Sequence, residues 1–117
     1  MPLLISFDID GTLGVGDPPG PISVEMVRQV KRVGYLIGSC SDRPISFQER
    51  MWRRLEIAAD FTVLKHRLAD VKTLCRAERY YHIGDTDGDH LFASAAGFRF
   101  FLADAAVLHA WGPELFI

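Results

Sequence analysis

Cysteine is scarce in this sequence: two residues among 117, Cys40 and Cys75, lying 35 positions apart. That spacing suits neither a zinc site nor a disulfide-dense scaffold, and it fits a reducing compartment. Positive charge is not in excess either. Thirteen Lys and Arg face fifteen Asp and Glu, a net charge of −2, so no bulk basic field draws nucleic acid and none is expected as a partner. Long apolar runs are also missing. The stretch from Leu3 to Phe7 falls far below the roughly 20 residues of a membrane helix, and Asp8 follows with no basic leader before it. The expectation is a cytoplasmic chain with no membrane partner. With 49% hydrophobic and 24% charged residues, what is present is ordinary globular composition, with room for one domain, 1–117, around one core.

Met1 to Phe7 is a nearly continuous apolar run, too short for a helix and suited to a strand buried on both faces of a parallel sheet. Gly11 to Pro21 holds four glycines and three prolines, which deny helix hydrogen bonds and strand pairing and mark a loop or flap. Ser23 can cap a helix whose buried stripe is Val24, Val27 and Val30, widened by Met26 and Val33 and closed by Gly34. A second strand is expected over Tyr35 to Gly38, then a helix opened by Pro44 and reaching about Ile57. Phe61 to Leu64 reads as a third strand. Leu68, Val71, Leu74 and Cys75 mark one face of a helix ending near Ala77, before a fourth strand from Tyr80 to Ile83. Leu91 to Ala96, stopped by Gly97, leads to a fifth strand from Phe98 to Leu102. The tail is apolar but irregular, broken by Gly112 and Pro113. This alternation predicts an α/β, Rossmann-like three-layer sandwich with a parallel sheet of about five strands. Ligands of such sheets sit at the carboxyl ends of the strands.

Those ends are where the acids gather. Asp8 and Asp10 follow the first strand, with Gly11 allowing a sharp turn, and Asp85, Asp87 and Asp89 follow the fourth. Such carboxylates repel one another unless a cation or shared protons relieve them, and a compact set of hard oxygen ligands favours magnesium. The bland reading of Asp10-Gly11 is a turn. A calcium loop opening at Asp85 is a further alternative, but it would need glycine sixth and glutamate twelfth, whereas this sequence places Gly88 fourth and Ala96 twelfth.

Phe7-Asp8-Ile9-Asp10-Gly11-Thr12-Leu13 resembles the first motif of the haloacid dehalogenase-like (HAD) hydrolase superfamily, and Ile83-Gly84-Asp85-Thr86-Asp87-Gly88-Asp89 resembles its fourth. The resemblance spans essentially the whole sequence and implies a minimal core without a cap. It implies that Asp8 is a nucleophile forming an aspartyl-phosphate and that Asp10 is the acid and base. It also implies a magnesium ion (Mg2+) held by the Asp8 carboxylate, the Asp10 backbone carbonyl and Asp85, with Asp89 in or behind that set. Asp87 reads as solvent-exposed. Ser41 in Ser41-Asp42-Arg43-Pro44 is similar to the family's second motif, a hydroxyl donating to the phosphoryl group. Asp42 stands there in place of glycine, Ser39 is a rival, and Arg43 is a candidate substrate contact. The family's lysine, which balances charge on the nucleophile and phosphoryl oxygens, is assigned to Lys65, with Lys72 as the alternative.

An aspartate two positions after the nucleophile resembles the family's phosphatases rather than its dehalogenases or ATPases. The expected function is magnesium-dependent hydrolysis of a phosphate monoester, on a small molecule or a macromolecule. The alternatives are a binding module that keeps the motifs without useful turnover and a receiver-type phospho-acceptor domain, whose acceptor would follow the third strand. His66, His82, His90 and His109 lack ligand spacing and read as surface or packing residues. Cys40 reads as a small buried thiol. Arg50, Arg53 and Arg54, interrupted by Glu49 and Glu56, read as a solvated face. No cap insertion fits between the motifs, so the site is expected to be open, with selectivity drawn from the Gly14 to Pro21 loop, a large substrate or a second copy. Trp111, Leu115, Phe116 and Ile117 are the candidate homo-oligomer interface, the alternative being that this tail packs on its own core.

Overall fold

The computed structural model describes residues 1–116. Strands β1 (Leu3–Phe7), β2 (Leu36–Ser41), β3 (Phe61–Leu64), β4 (Arg79–Gly84) and β5 (Arg99–Leu102) form one parallel sheet in the order β3-β2-β1-β4-β5. The helices are α1 (Val24–Arg32), α2 (Ile45–Arg54), α3 (Val71–Leu74), α4 (Asp87–Ala95) and α5 (Ala105–Ala110). The fold is the expected α/β Rossmann-like sandwich.

Strand side chains alternate between two cores. Ile5 and Phe7 of β1, with Tyr81 and Ile83 of β4, meet Val27 and Val30 of α1, Met51 and Trp52 of α2 and Val107 of α5. Leu4 and Cys40 face the other layer, with Leu68, Val71 and Ala93. Leu4, Ile5 and Phe7 are each fully buried, and burial of such side chains stabilises by about 1.5–3 kcal/mol apiece, as an upper estimate. A polar substitution in this central strand would break the sheet from the middle.

Local chemistry sets most boundaries. The Ser23 hydroxyl accepts from the Met26 N–H at 3.2 Å and caps α1, and Gly34, at φ +102°, ends its last turn. Val27 and Val30 are buried as expected, whereas Val33, at the C-cap, is half exposed. β2 runs on to Ser41, because Ser39, Cys40 and Ser41 pair in register with Thr62, Val63 and Leu64 of β3.

Two expectations need correction. The helix expected through Leu68 to Ala77 is a 3-10 turn over Lys65–Asp70 followed by the single turn α3, with a non-helical Arg67 between. Leu68, Val71 and Leu74 recur every three residues, a period that a 3-10 turn satisfies as well as an α-helix does. Leu68 and Val71 are buried, but Leu74 is exposed. The tail is also more regular than expected. The Asp104 carboxylate accepts from the Ala106 and Val107 N–H groups and starts α5, and a 3-10 turn spans Pro113–Phe116. Phe116 is fully buried, edge-on to Tyr35, Tyr81, Phe101 and Trp111, and its carbonyl accepts from the Tyr81 hydroxyl at 2.7 Å. Trp111 and Leu115 pack against the same core. Phe116 is therefore internal packing, Trp111 and Leu115 are partly buried against that core, and Ile117 lies outside the described residues.

No helix among the described residues is long and apolar enough to cross a membrane. β1 is flanked by β2 on one side and β4 on the other, so the connections from the two halves of the sheet diverge there. Ligand crevices open at such switch points.

Candidate active site

Asp8 is the first residue beyond β1. Its N–H donates to the Ile83 carbonyl at 2.9 Å, which extends the β1–β4 ladder by one step and leaves the carboxylate buried between the strand tips. Gly11, at φ +77°, then turns the chain. The Asp85 carboxylate lies so close to Gly11 that a Cβ there would collide with it. Glycine is thus required twice at this point, for its backbone angle and for its missing side chain.

Lys65 is the first residue beyond β3. Its ammonium lies 3.2 Å from Asp89 Oδ1, 3.7 Å from Asp8 Oδ1 and 3.7 Å from Asp42 Oδ2. Burial alone would push this amine down, but the surrounding carboxylates outweigh that and hold it above its ordinary value. The rival Lys72 is elsewhere. It donates to the Gly97 carbonyl at 3.2 Å and lies over the Tyr80 and Phe98 rings.

Asp89 sits in the first turn of α4 with no exposed surface. Its Oδ2 accepts from the Asp85 N–H, the Thr86 N–H and the Thr86 hydroxyl, while Oδ1 faces Lys65 and His82. Burial would raise this carboxyl, but His82, Lys65 and Thr86 hold it well below the ordinary range. Both oxygens are already engaged, so Asp89 supports the cluster from behind, while Asp8 and Asp85 present the freer oxygens. Asp87 is exposed on α4 and does not line the cleft.

His82 carried no sequence signal, yet it is buried beneath the site. One ring nitrogen lies 2.9 Å from Ser6 Oγ on the neighbouring strand, and the other 3.4 Å from Asp89 Oδ1. The register that pairs Ser6 with His82 makes this contact, across 76 positions of sequence. His66, His90 and His109 are exposed as expected.

The two serine candidates separate clearly. Ser39 Oγ donates to Gln48 Oε1 at 2.7 Å and accepts from Trp52 Nε1 at 2.9 Å, which commits it to the packing of α2. Ser41, at the tip of β2, lines the cleft and accepts from the Arg43 N–H at 3.1 Å. The Arg43 guanidinium turns onto Asp10, at 2.8 Å from Oδ2 and 3.3 Å from Oδ1. The Asp17 N–H donates to Asp10 Oδ1 at 2.8 Å. Partial burial would raise the Asp10 carboxyl, but these donors take it below its ordinary value.

Asp8, Asp10, Pro18, Ser41, Asp42, Lys65, Asp85 and Thr86 line one cleft of about 230 Å³. Chemistry rather than size marks it out, since a hollow of about 390 Å³ beside Trp52 and Phe61 is larger. The flap is tied over one wall. The Gly11 N–H donates to the Pro18 carbonyl at 2.7 Å, and Gly16 and Gly20 lie too close to the Ile9–Asp10 and Thr12 backbones to admit a Cβ. Pro18 of the flap thus forms part of the cleft's lining.

Asp8, Asp85 and Asp89 each offer an oxygen within 4.8 Å of the others. Burial and the charge of Asp89 push the Asp8 carboxyl up to about 8, with Lys65 opposing. Asp85 Oδ1 is buried without a hydrogen-bond partner, one of two such side-chain atoms among the described residues, the other being Thr12 Oγ1. An orphaned carboxylate oxygen in a cluster short of positive charge fits a hard divalent cation. The same field and burial push the Cys40 thiol up to about 12, leaving it inert. No family model and no curated protein matches this sequence.

Proposed function

We propose that this chain is a magnesium-dependent phosphatase of the HAD type, hydrolysing a phosphate monoester through an aspartyl-phosphate. The observation that supports it most is the convergence of Asp8, Asp10, Ser41, Lys65 and Asp85, from the ends of β1, β2, β3 and β4, on one cleft at the switch point of the sheet.

In this reading a carboxylate oxygen of Asp8 attacks phosphorus while the bond to the leaving oxygen breaks, and Asp10 supplies that oxygen with a proton. The Ser41 hydroxyl donates to a phosphoryl oxygen, and Lys65 balances the charge on the phosphoryl group and Asp8. Water then attacks phosphorus, Asp10 takes its proton, the Asp8–phosphorus bond breaks and inorganic phosphate leaves. Magnesium, when bound, would supply the positive charge that lets one anion approach another, with Asp8, the Asp10 carbonyl and Asp85 as its ligands and Asp89 behind them.

Arg43 favours the ionised form of Asp10, which suits the proton-accepting half of the cycle. Donation asks the guanidinium to leave Asp10 for the substrate. That pairing also favours the second reading, a binding module with little turnover, because a bidentately held carboxylate is a poor acid. The receiver reading is weakened by the strand order, since receiver-type sheets set β3 beside β1, whereas here β3 is at the edge. A panel of phosphate monoesters assayed with magnesium separates the first two readings: turnover well above background supports the phosphatase, and binding without turnover supports the module.

A further inference from the structure

α2 carries a face that the chemistry above does not use. Phe47, Arg50, Met51, Arg54 and Leu55 recur at helical spacing on one side, and with Val15 of the flap they line a groove of about 340 Å³. Its floor is apolar, and among the described residues its only charges are two arginines. The acids that interrupt this patch in sequence fall elsewhere: Glu49 borders the hollow beside Trp52, with Arg53, and Glu56 borders a third, beside Arg28 and Lys31. Arg28, Lys31, Arg32 and Arg67 each pair with a carboxylate, whereas neither Arg50 nor Arg54 does so among the described residues. Arg50, Arg53 and Arg54 are exposed, as a solvated face requires, and of the three Arg50 and Arg54 border the groove.

The groove adjoins the cleft through two elements. Arg43, which grips Asp10, lies 4.9 Å over the Phe47 ring, and Val15 precedes by three residues the Pro18 that walls the cleft. Arg50 and Arg54 lie one and two turns along α2 from Phe47, on the far side of that ring from the start of the helix.

We propose that the leaving group of the substrate is a small aromatic body carrying a second anionic group, with its ring against Phe47, Met51 and Val15 and its acid facing Arg50 and Arg54. This rests on the phosphatase reading for which end of the ligand enters the cleft. The apolar floor with its aromatic ring and the guanidinium rim complement such a molecule in polarity and charge. A cationic leaving group meets the same rim unfavourably.

The test is calorimetric titration of the full chain, with magnesium, using methylphosphonate, phenylphosphonate, para-carboxyphenylphosphonate and para-(aminomethyl)phenylphosphonate, alongside hydrolysis of the matching esters. The carboxylated arene should bind about three- to tenfold tighter than phenylphosphonate, phenylphosphonate should exceed methylphosphonate, and the aminomethyl compound should be weakest among the arenes. The double variant Arg50→Glu, Arg54→Glu should lose or invert the order of the arenes. Equal affinities in the wild type, no binding, or a preference that survives the double variant would each overturn the inference. Selective binding without hydrolysis of any ester would sink the phosphatase reading and keep only the groove's preference for an anionic arene, without its role as leaving group, while hydrolysis without selectivity would overturn the inference and keep the phosphatase reading.

Discussion

The Lys65 ammonium stands 3.2 Å from the Asp89 carboxylate, and the aspartate side chain is 0% exposed. A carboxylate so buried depends on its cationic neighbour, since removing one member of a buried pair leaves an uncompensated charge that costs about 3–5 kcal/mol. Lys65→Ala should therefore lower the denaturation midpoint substantially and cut turnover about a hundredfold or more. Lys72→Ala should leave turnover within about twofold, because its amine is bound to Gly97 on another part of the surface. Thermal denaturation and steady-state kinetics of the two variants check both statements.

Asp85 presents a buried oxygen without a partner, whereas Asp87 faces solvent. Asp85→Ala should weaken magnesium binding about tenfold or more, and Asp87→Ala should barely change it. Gly11→Ala should resemble Asp85→Ala, since its new Cβ collides with the Asp85 carboxylate. Calorimetric metal titrations decide this, and equal losses from Asp85→Ala and Asp87→Ala would mean the ligand set is wrong.

The Arg43–Asp10 pair predicts a pH dependence of stability. The folded Asp10 carboxyl lies below its ordinary 3.8, so the pair's contribution is fully present above that value and is lost as pH falls through the folded one. Arg43→Ala should be less stable than the wild type near neutrality by a modest amount, since both side chains are about a third exposed. The gap should narrow as pH falls below that 3.8. Urea unfolding of both proteins across that range measures it.

His82 ties β4 to Ser6 on β1 and to Asp89 on α4. His82→Ala removes both contacts and leaves a buried hydroxyl and carboxylate short of a partner, at about 1–3 kcal/mol. His82→Gln, which keeps a donor and an acceptor, should recover part of that loss in chemical denaturation.

Much of this was readable because it is local. The apolar run of β1, the four residues of β3 and the cap at Ser23 depend on neighbours a few positions away, as do the acids that follow β1 and β4, whereas the Thr86 cap that starts α4 at Asp87, four residues before the expected Leu91, was missed. What escaped depends on register and on shared periods. His82 acquires its role only when β4 pairs with β1, and Arg43 meets Asp10 across 33 positions. The threefold spacing of Leu68, Val71 and Leu74 does not distinguish a 3-10 turn from an α-helix. Ser39 and Ser41 look alike in sequence and separate only when Gln48 and Trp52 of α2 claim the first.

The central claim is that Asp8 is the nucleophile of a phosphatase, and hydrolysis of a phosphate monoester panel by the wild type and by Asp8→Asn, with and without magnesium, tests it most directly. The wild type should turn over at least one ester only with magnesium, and Asp8→Asn, nearly isosteric but a poor nucleophile, should fold normally and lose that activity. Hydrolysis by Asp8→Asn at the wild-type rate would contradict the account.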